Sequence, residues 1–519
     1  MKKEPSAMDT TAPNQHTSKP VKVPIRTIPS GVEGLDEILG GGIPEFSFNL
    51  IAGLPGCGKT TLAHQIAFAN ATDDNPALYF TVLGEPPLKM LRHQQQYSFY
   101  DPLKVGKAIR FINLSDLVIK QDLDALYAEI TAQVAKIAPK IIIVDSFRTL
   151  IRGGENSADS LGMHFFVQRL GHFLTTWEAT TFMIGEYCVE DINNSPIFTI
   201  ADGIIWLWQV PERNSVVRKL QVIKLRGQGS VPGLHTMRIN DDGIQAFSRT
   251  LGLARQKTHK KEYSKLSMGI PELDKMLGGG IREGDSVLIA GPSGTGKSAL
   301  ATQFIAEGLR IGEPGIMAIF EERPEGYMQR AGTFGLNLKD AIDTGKLETL
   351  YLRPLDLSVD ETMREILDAI KRVDAKRLVI DSLVGFEMAL APGFRADFQE
   401  SLYRMIGALT GAGITIVSTV EVEDTFTGLP FSNYAISFLT DDIIRMRYVE
   451  IGGQLRKVLV VIKMRGGNHS KDIREYIITD KGLVLIQPRQ TDYSELSTGL
   501  PHLIGQNREI PPETKESRL

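Results

Sequence analysis

The chain has 519 residues, of which 42% are apolar and 23% are charged, and its formal net charge is −4. This composition is typical of a soluble globular protein with two or more domains, and the charge excludes a whole-molecule attraction to nucleic acid. No apolar run approaches the roughly 18 residues of a membrane-spanning helix, and the polar N terminus lacks the apolar stretch of a signal peptide, so we expect a cytoplasmic protein without membrane association.

The sequence contains an internal duplication. GVEGLDEILGGGIPEFSFNLIAG at 31–53 recurs at 269–291 as GIPELDKMLGGGIREGDSVLIAG, and later segments align at nearly the same shift. This repetition predicts two homologous domains. The predicted organisation is a disordered N-terminal segment, a first domain, a basic linker, a second domain and a flexible C-terminal tail, at residues 1–23, 24–248, 249–263, 264–486 and 487–519.

Within each half, short apolar runs alternate with amphipathic stretches of helical length. FNLIAG, ALYFTV, AIRFINL and KIIIVD are first-half examples, rich in β-branched and aromatic residues. The alternation predicts an α/β fold with a mostly parallel sheet flanked by helices. The last segments of each half, such as QVIKLRG, HTMRIND and GIQAF in the first, predict a strand meander instead.

A phosphate-binding loop follows an early strand of each half. GLPGCGKT at 53–60 and GPSGTGKS at 291–298 both match G-x-x-x-x-G-K-[ST], a P-loop motif for ATP. The glycines let backbone N–H groups curl around phosphates, the lysine reaches the β- and γ-phosphates, and the hydroxyl of Thr60 or Ser298 holds Mg²⁺. The residues predicted to bind nucleotide here are Gly53, Gly56, Cys57, Gly58, Lys59, Thr60 and Thr61 in the first half, and Gly291, Gly294, Thr295, Gly296, Lys297, Ser298 and Ala299 in the second.

An aspartate ends a later apolar strand in each half. Asp145 closes KIIIVD and Asp381 closes RLVID. An isolated strand-ending aspartate is as often a helix N-cap, but after a phosphate loop it matches the Walker B acid, which accepts hydrogen bonds from the Mg²⁺ shell. We therefore predict that both carboxylates belong to nucleotide sites.

The corner at the end of the first strand after each phosphate loop differs between the halves. The second half reads FEE, so Glu321 is the candidate general base and a candidate for the metal's ligand shell, with Glu322 beside it; the alternative is a solvated acidic corner. The first half instead has Leu83 and Gly84, which can neither accept a proton nor bind the metal, followed by Glu85. A shift of one residue points a strand side chain to the other face, so Glu85 could substitute only from an early strand end or a bulge. We expect the first site to bind ATP and hydrolyse it slowly.

A cation pair ends a strand late in each half. Lysine and arginine two positions apart project from the same strand face, as a pair that contacts one phosphate would. One such pair alone is usually a solvated face, and its repetition favours the functional interpretation. The two segments are Lys224-Leu225-Arg226-Gly227 and Lys463-Met464-Arg465-Gly466.

The duplicated domain, the GGGI segments, the FEE corner, the VDS and IDS strand ends and the paired KLRG and KMRG strands together resemble the KaiC family of clock ATPases and autokinases. The resemblance covers about residues 24–486 and implies tandem RecA-like P-loop domains. It also implies a double-ring homohexamer with ATP and Mg²⁺ at the subunit boundaries. In that arrangement, residues 224–226 and 463–465 would reach the nucleotide of the neighbouring subunit.

The chain departs from the family pattern at the first-half corner and at the phosphorylated pair. The family's autophosphorylated serine and threonine fall at Ser437-Phe438, so the serine is retained and the threonine is lost. The resemblance therefore implies phosphorylation of Ser437, with Thr440 as a nearby competitor; the alternative is an ordinary strand or turn hydroxyl. Glu186 and Glu421, at equivalent strand ends, are candidate nucleotide sensors or structural caps.

Three functions stay open at the level of sequence. The favoured one is a hexameric ATPase and serine/threonine autokinase that signals to unidentified protein partners through its nucleotide or phosphorylation state. The second is a RecA- or DnaB-type nucleic-acid motor, because a fold does not assign a function. Apart from the linker at 255–265, the basic and aromatic signature of a nucleic-acid channel is absent, so a nucleic-acid partner is not expected. The third is a nucleotide-gated scaffold with vestigial hydrolysis.

Overall fold

The structure is a computed structural model that describes most of the two repeated halves. The predicted N-terminal segment, nearly all of the linker and the C-terminal tail lie outside the described residues, and the domain boundaries stay predictions. Among the helices that are described, none is long and apolar enough to cross a membrane. The described residues are 25–82, 87–120, 122–147, 159–193, 195–212, 215–249, 264–352, 358–390, 392–395, 398–422, 440–451 and 454–486.

The first half alternates strands and helices and then ends in consecutive strands. Its strands are β1 (Thr27–Ile28), β2 (Ile43–Pro44), β3 (Phe48–Gly53), β4 (Ala77–Thr81), β5 (Ile109–Asn113), β6 (Ile141–Asp145), β7 (Thr180–Glu186), β8 (Gly203–Glu212), β9 (Ser215–Leu225), β10 (His235–Asn240) and β11 (Gly243–Phe247). Its helices are α1 (Leu35–Leu39), α2 (Lys59–Asn70), α3 (Pro87–Gln94), α4 (Ser115–Ile119), α5 (Leu123–Ile137), α6 (Asp159–Thr176) and α7 (Ile197–Ile200), with a 3₁₀ helix at Val189–Asn193.

The second half repeats this order of elements. Its strands are β12 (Lys265–Leu266), β13 (Ile281–Arg282), β14 (Ser286–Gly291), β15 (Gly315–Ile319), β16 (Leu347–Tyr351), β17 (Arg377–Asp381), β18 (Thr415–Glu421), β19 (Asp442–Ile451), β20 (Gln454–Lys463), β21 (Arg474–Thr479) and β22 (Gly482–Leu485). Its helices are α8 (Pro271–Met276), α9 (Lys297–Arg310), α10 (Pro324–Thr333), α11 (Lys339–Asp343), α12 (Val359–Val373), α13 (Leu383–Ala389), α14 (Pro392–Arg395) and α15 (Phe398–Gly411).

Each half is built on a nine-stranded sheet, and the two sheets have the same strand order. The first runs β11-β10-β9-β8-β3-β7-β6-β4-β5, and the second runs β22-β21-β20-β19-β14-β18-β17-β15-β16 when it is listed from its equivalent edge. Strands β3 to β8 pair in parallel, whereas β8 to β11 pair in antiparallel fashion. The predicted α/β fold with two mostly parallel sheets and terminal meanders is therefore confirmed.

Both faces of each central sheet are covered by helices. In the first half, Ile51 packs in one core with residues of α2, and its neighbour Leu50 packs in a second core with residues of α5 and α6. Consecutive strand residues point to opposite faces, so a strand with two covered faces is apolar along its length. Burial of each such side chain stabilises the fold by roughly 1.5–3 kcal/mol. The polar groups that follow these strands are thereby left at the carboxyl edge of the sheet.

The two halves contact each other through ion pairs that involve helices of the second half. Arg238 of β10 pairs with Glu361 of α12 at 2.8 Å, and Arg249 pairs with Glu400 of α15 at 2.8 Å. Ion pairs in which at least one partner is exposed, as here, contribute only about 0–1 kcal/mol each. These two pairs therefore add little net stability to the contact between the halves.

Candidate nucleotide-binding and catalytic sites

Both phosphate loops leave a fully buried strand and end on the first turn of a helix. Strands β3 and β14 are buried throughout, and helices α2 and α9 begin at Lys59 and Lys297. The unpaired N–H groups and the dipole of a helix N terminus favour phosphate at this position. Each lysine Nζ donates to a carbonyl of its own loop, Leu54 O at 2.8 Å and Pro292 O at 2.9 Å. Both loops thus have the geometry of an anion cradle.

The glycine before each lysine allows the loop to pack against the meander of its own half. Gly58 and Gly296 have φ of 102° and 98°, which is the left-handed region that favours glycine. A Cβ atom on Gly58 would lie 2.7 Å from Ile239 Cδ1, and one on Gly296 would lie 2.5 Å from Ile478 Cδ1. A larger residue would therefore strain the left-handed backbone and push these isoleucine side chains aside.

In the first half, the carboxylate of Asp145 lies beside the phosphate loop. Its Oδ2 accepts hydrogen bonds from Thr60 Oγ1 and from Tyr79 Oη, both at 2.8 Å. Burial raises the pKa of Asp145, and the two hydroxyl donors oppose that shift. Burial also raises the pKa of Tyr79 well above its usual value, so this hydroxyl stays protonated and remains a donor. The fold therefore brings together Thr60 and Asp145, as the sequence predicts.

In the second half, both oxygens of Asp381 accept hydrogen bonds. Thr419 Oγ1 donates to Oδ1, and Tyr327 Oη donates to Oδ2 at 3.0 Å. Tyr327 Oη also lies 2.9 Å from Thr302 Oγ1, whose hydroxyl donates to the Ser298 carbonyl at 2.7 Å. The Walker B candidate is thus connected to the first turn of α9, which follows the phosphate loop.

A cavity of about 590 Å³ lies where the predicted groups of the second half converge. This volume is within the range of about 300–1,000 Å³ that ligand sites have. Burial lowers the pKa of Lys297, and the carboxylates of Glu421, Asp381 and Glu321 oppose that shift. The charged and hydroxyl groups in the cavity wall include Lys297, Ser298, Glu321, Glu322, Asp381 and Glu421.

The two carboxylates of the second-half corner have different partners. Glu321 Oε1 accepts a hydrogen bond from Ser382 Oγ, and that hydroxyl in turn accepts from the Gly385 N–H at 3.1 Å as the N-cap of α13. Glu322 instead forms an ion pair with Arg330 of α10. Glu321 is exposed to the cavity and is held by a neutral hydroxyl, whereas the charge of Glu322 is compensated. This difference favours Glu321 as the proton acceptor of the pair.

The cation pairs lie far from the phosphate loop of their own half. In the second half, Arg465 pairs with Asp441 at 3.4 Å, and Asp441 Oδ2 accepts from the Ser286 N–H at 3.0 Å. Ser286 begins β14 and the phosphate loop follows its end, so the strand's length of roughly 17 Å separates the two features. Lys463 Nζ donates to the Thr440 carbonyl at 2.6 Å, at the same end of the sheet as Arg465.

The first half repeats this placement of the cations. Arg226 pairs with Asp202 at 3.1 Å, and Asp202 Oδ2 accepts from the Phe48 N–H at 3.1 Å at the start of β3. Lys224 Nζ donates to the Thr199 carbonyl at 3.0 Å. In neither half can the pair reach a phosphate bound by its own loop.

The remaining predicted site residues divide into those that lie outside the described residues and those whose burial and position the structure shows. Leu83, Gly84, Glu85 and Ser437 lie outside the described residues. Thr440, the competitor for phosphorylation, is buried. Glu186 and Glu421 end the equivalent strands β7 and β18 and are exposed. Glu421 also lines the second-half cavity, as a nucleotide sensor would.

The oxygen groups at the two loops fit Mg²⁺ that is held mainly by nucleotide. The described residues contain no cluster of three or more His, Cys, Asp or Glu side chains that could hold a metal ion alone. A hydroxyl beside a carboxylate, as in Thr60 and Asp145, instead suits Mg²⁺, which keeps several waters and takes few protein ligands besides phosphates. The place of Glu321 in the metal's ligand shell stays a prediction.

Sequence reasoning missed the side chains that orient the predicted groups. Tyr79 and Tyr327 contact the two Walker B candidates, and Ser382 contacts the candidate base. A phenol in the mostly apolar run ALYFTV was a signal for Tyr79, and Ser382 follows Asp381 directly. Tyr327 gave no such signal, because its contact depends on how α10 packs against the sheet.

Comparison with known proteins gives matches over both halves. The profile described as "ATPase: KaiC" matches residues 28–250 and 266–490. A circadian clock oscillator protein KaiC from Prochlorococcus marinus subsp. pastoris is 28% identical over 505 residues, which is 95% of this chain and 97% of the relative. Proteins with the same description from a Picosynechococcus species and from Rippkaea orientalis are 30% identical over 488 and 490 residues, in each case 92% of this chain and of the relative.

Proposed function

This chain belongs to the KaiC family of ATPases, and from that premise we propose that it hydrolyses Mg-ATP, assembles as a homohexamer and phosphorylates itself on serine. The observation that carries the proposal is the second-half cavity, where Lys297, Glu321 and Asp381 face one another. A cation for phosphate, a carboxylate for proton transfer and a carboxylate for the metal shell are the groups that phosphoryl transfer requires.

Hydrolysis in the second half follows from these positions. Bound Mg²⁺ would neutralise charge that develops on the phosphates during transfer. Lys297 binds the same phosphates, and Ser298 and Asp381 orient the metal's shell. Glu321 takes a proton from the attacking water as the water oxygen bonds to the γ-phosphorus, and the bond to the β–γ bridging oxygen breaks to release ADP. Ser382 holds the carboxylate of Glu321 in place for this transfer.

Autophosphorylation uses the same site with a different nucleophile. The hydroxyl of Ser437 from a neighbouring subunit replaces water, Glu321 takes its proton, and the γ-phosphoryl group moves to the serine oxygen with ADP as the leaving group. The motif resemblance supports this assignment, since Ser437 occupies the position of the family's phosphorylated serine. The resulting charge of about −2 would signal to protein partners.

The ring arrangement is supported by the placement of the cations. Each lysine–arginine pair lies at the opposite end of the central strand from its own phosphate loop. A ring of identical subunits joined head to tail brings one end of a subunit against the other end of the next. The pairs at 224–226 and 463–465 then reach the γ-phosphate of the adjoining subunit.

We expect ATP with Mg²⁺ to drive assembly, because these cations gain a phosphate partner only across a subunit boundary. Light scattering with ATP, with ADP and without nucleotide measures the mass. The expected result is a hexamer with ATP and smaller species in the other two samples. A monomer in all three conditions would contradict the ring.

We expect purified protein incubated with Mg-ATP to carry phosphate on Ser437. Phosphopeptide mapping of wild type, Ser437→Ala and Lys297→Ala should find this phosphate in wild type alone. Ser437→Thr serves as the matched control, since it keeps a hydroxyl at this position. Turnover of ATP without phosphate anywhere in 430–442 would leave an ATPase switch and remove the autokinase.

Turnover assays also separate the proposal from the two alternatives. Strong stimulation of phosphate release by single-stranded DNA would indicate a nucleic-acid motor. Tight ATP-dependent assembly with negligible phosphate release would indicate a nucleotide-gated scaffold. We expect steady phosphate release that DNA does not change.

A further inference from the structure

Both halves place a tyrosine hydroxyl on the carboxylate that is predicted to serve Mg²⁺. Tyr79 Oη lies 2.8 Å from Asp145 Oδ2, and Tyr327 Oη lies 3.0 Å from Asp381 Oδ2. The carboxylates are equivalent in the duplicated sheets, because each ends the strand between β4 and β7 or between β15 and β18. The tyrosines are not equivalent to each other.

The two tyrosines come from different elements. Tyr79 lies in strand β4, and the matching position of β15 is Met317. Tyr327 lies in helix α10, and the matching position in α3 is Lys89, which is exposed. The two halves therefore carry the tyrosine at different positions of the repeat, and both form the hydrogen bond from its hydroxyl to the carboxylate.

We propose that Tyr79 and Tyr327 are positioning residues that orient the Walker B carboxylates for Mg²⁺ in the first and second sites. The inference rests on the proposed function, because it assumes that these carboxylates serve Mg-ATP. The Mg²⁺ concentration that each site requires would then depend on a neutral donor outside the phosphate loop.

The physical argument concerns the rotation of the carboxylate. In the second half, Thr419 holds Oδ1 of Asp381 and Tyr327 holds Oδ2, so the group is fixed in one plane. A neutral donor fixes this plane without cancelling the negative charge that attracts the metal's shell. A lysine or arginine in the same place would neutralise the negative charge of the carboxylate.

In the first half, the tyrosine is the donor to the carboxylate that lies outside the phosphate loop. Thr60 and Tyr79 both donate to Oδ2 of Asp145. The hydroxyl of Thr60 would also give an oxygen lone pair to the metal, whereas the hydroxyl of Tyr79 serves the carboxylate alone. Tyr79 then keeps the carboxylate in position. Its ring stacks on His64 with a centroid distance of 4.7 Å, which holds the phenol in one orientation.

Tyr327 also connects the metal side of the second site to the catalytic corner. Its helix α10 begins two residues after Glu322, and Arg330 of the same helix pairs with that glutamate. The ring of Tyr327 lies 5.2 Å from the Arg330 guanidinium. Helix α10 therefore determines both the orientation of the Asp381 carboxylate and the position of the corner at Glu321 and Glu322.

Removal of each hydroxyl should raise the Mg²⁺ requirement of its own half. Tyr327→Phe is made together with Lys59→Ala, which disables the first site, and Tyr79→Phe together with Lys297→Ala, which disables the second. The Mg²⁺ concentration for half-maximal binding of a fluorescent ATP analogue should rise about tenfold, the low end of the range for loss of a group that orients a metal ligand. Turnover at saturating Mg²⁺ should change less.

Thr415→Val in the Lys59→Ala background is the control. Thr415 is also buried in the second half, and its hydroxyl accepts from the Gly284 N–H at 2.9 Å at the start of β18, the end of that strand away from the cavity. We expect it to lower the melting temperature as Tyr327→Phe does, and to leave the Mg²⁺ midpoint unchanged.

The possible results separate this inference from the proposed function. Unchanged midpoints in both phenylalanine variants, or an equal shift in the Thr415→Val control, would overturn the positioning role. A shift in one half alone would overturn it for the other half. Failure of the parent protein to bind the ATP analogue with Mg²⁺ would instead overturn the proposed function.

Discussion

Replacement of Glu321 by glutamine is expected to lower ATP turnover in the second half by roughly 10²–10⁴-fold, the contribution of a positioned general base. Glutamine has nearly the same shape, and its carbonyl oxygen can still accept the hydrogen bond from Ser382 Oγ. The amide cannot take a proton from water. Phosphate release measured in a Lys59→Ala background reports the second site alone, and ATP-dependent assembly should persist in the variant.

Glu322→Gln is the matched control for this experiment. It removes the negative charge that pairs with Arg330 and leaves Glu321 in place, so we expect it to lower turnover less than tenfold. Glu85→Gln, measured in a Lys297→Ala background, should also have the smaller effect. Equal losses for Glu321→Gln and Glu322→Gln would show that the corner acts through its charge, and a larger loss for Glu85→Gln would contradict our interpretation of the first-half corner.

Replacement of Arg465 by alanine is expected to lower second-half turnover by about 10³-fold or more, as loss of an arginine supplied to a γ-phosphate does in related phosphoryl transfers. The side chain of Arg465 is 66% exposed and is held by Asp441 at the edge away from its own phosphate loop. We therefore expect its substrate contact to be made on another subunit. Arg456→Ala provides a matched control, because that arginine pairs with Glu475 on the neighbouring β21.

A mixture of two inactive variants tests directly whether Arg465 of one subunit serves the phosphate loop of another. Arg465→Ala protomers keep an intact phosphate loop, and Lys297→Ala protomers keep an intact Arg465. In an equal mixture with the first site disabled in both, about a quarter of head-to-tail boundaries combine the two intact parts. We expect turnover to recover to about that fraction of the parent protein. A mixture as inactive as its components would indicate that Arg465 acts within its own subunit.

The sequence alone determined the fold class and the phosphate loops because these depend on local patterns. Apolar runs such as FNLIAG predicted strands with both faces covered, and the structure buries β3 completely. The duplication predicted tandem domains of one fold, and the two sheets have the same strand order. Glycine positions in GLPGCGKT and GPSGTGKS followed from the backbone shape that a phosphate cradle requires.

The tertiary structure alone decided which groups orient the catalytic ones and where the cations lie. Tyr79 and Tyr327 share no position in the repeat, so no alignment of the halves could link them; they become comparable only when a strand in one half and a helix in the other meet the same carboxylate. The separation of Arg465 from its own phosphate loop depends likewise on strand order and register. Such contacts join residues that are distant along the chain, and their geometry is set by packing instead of by local sequence pattern.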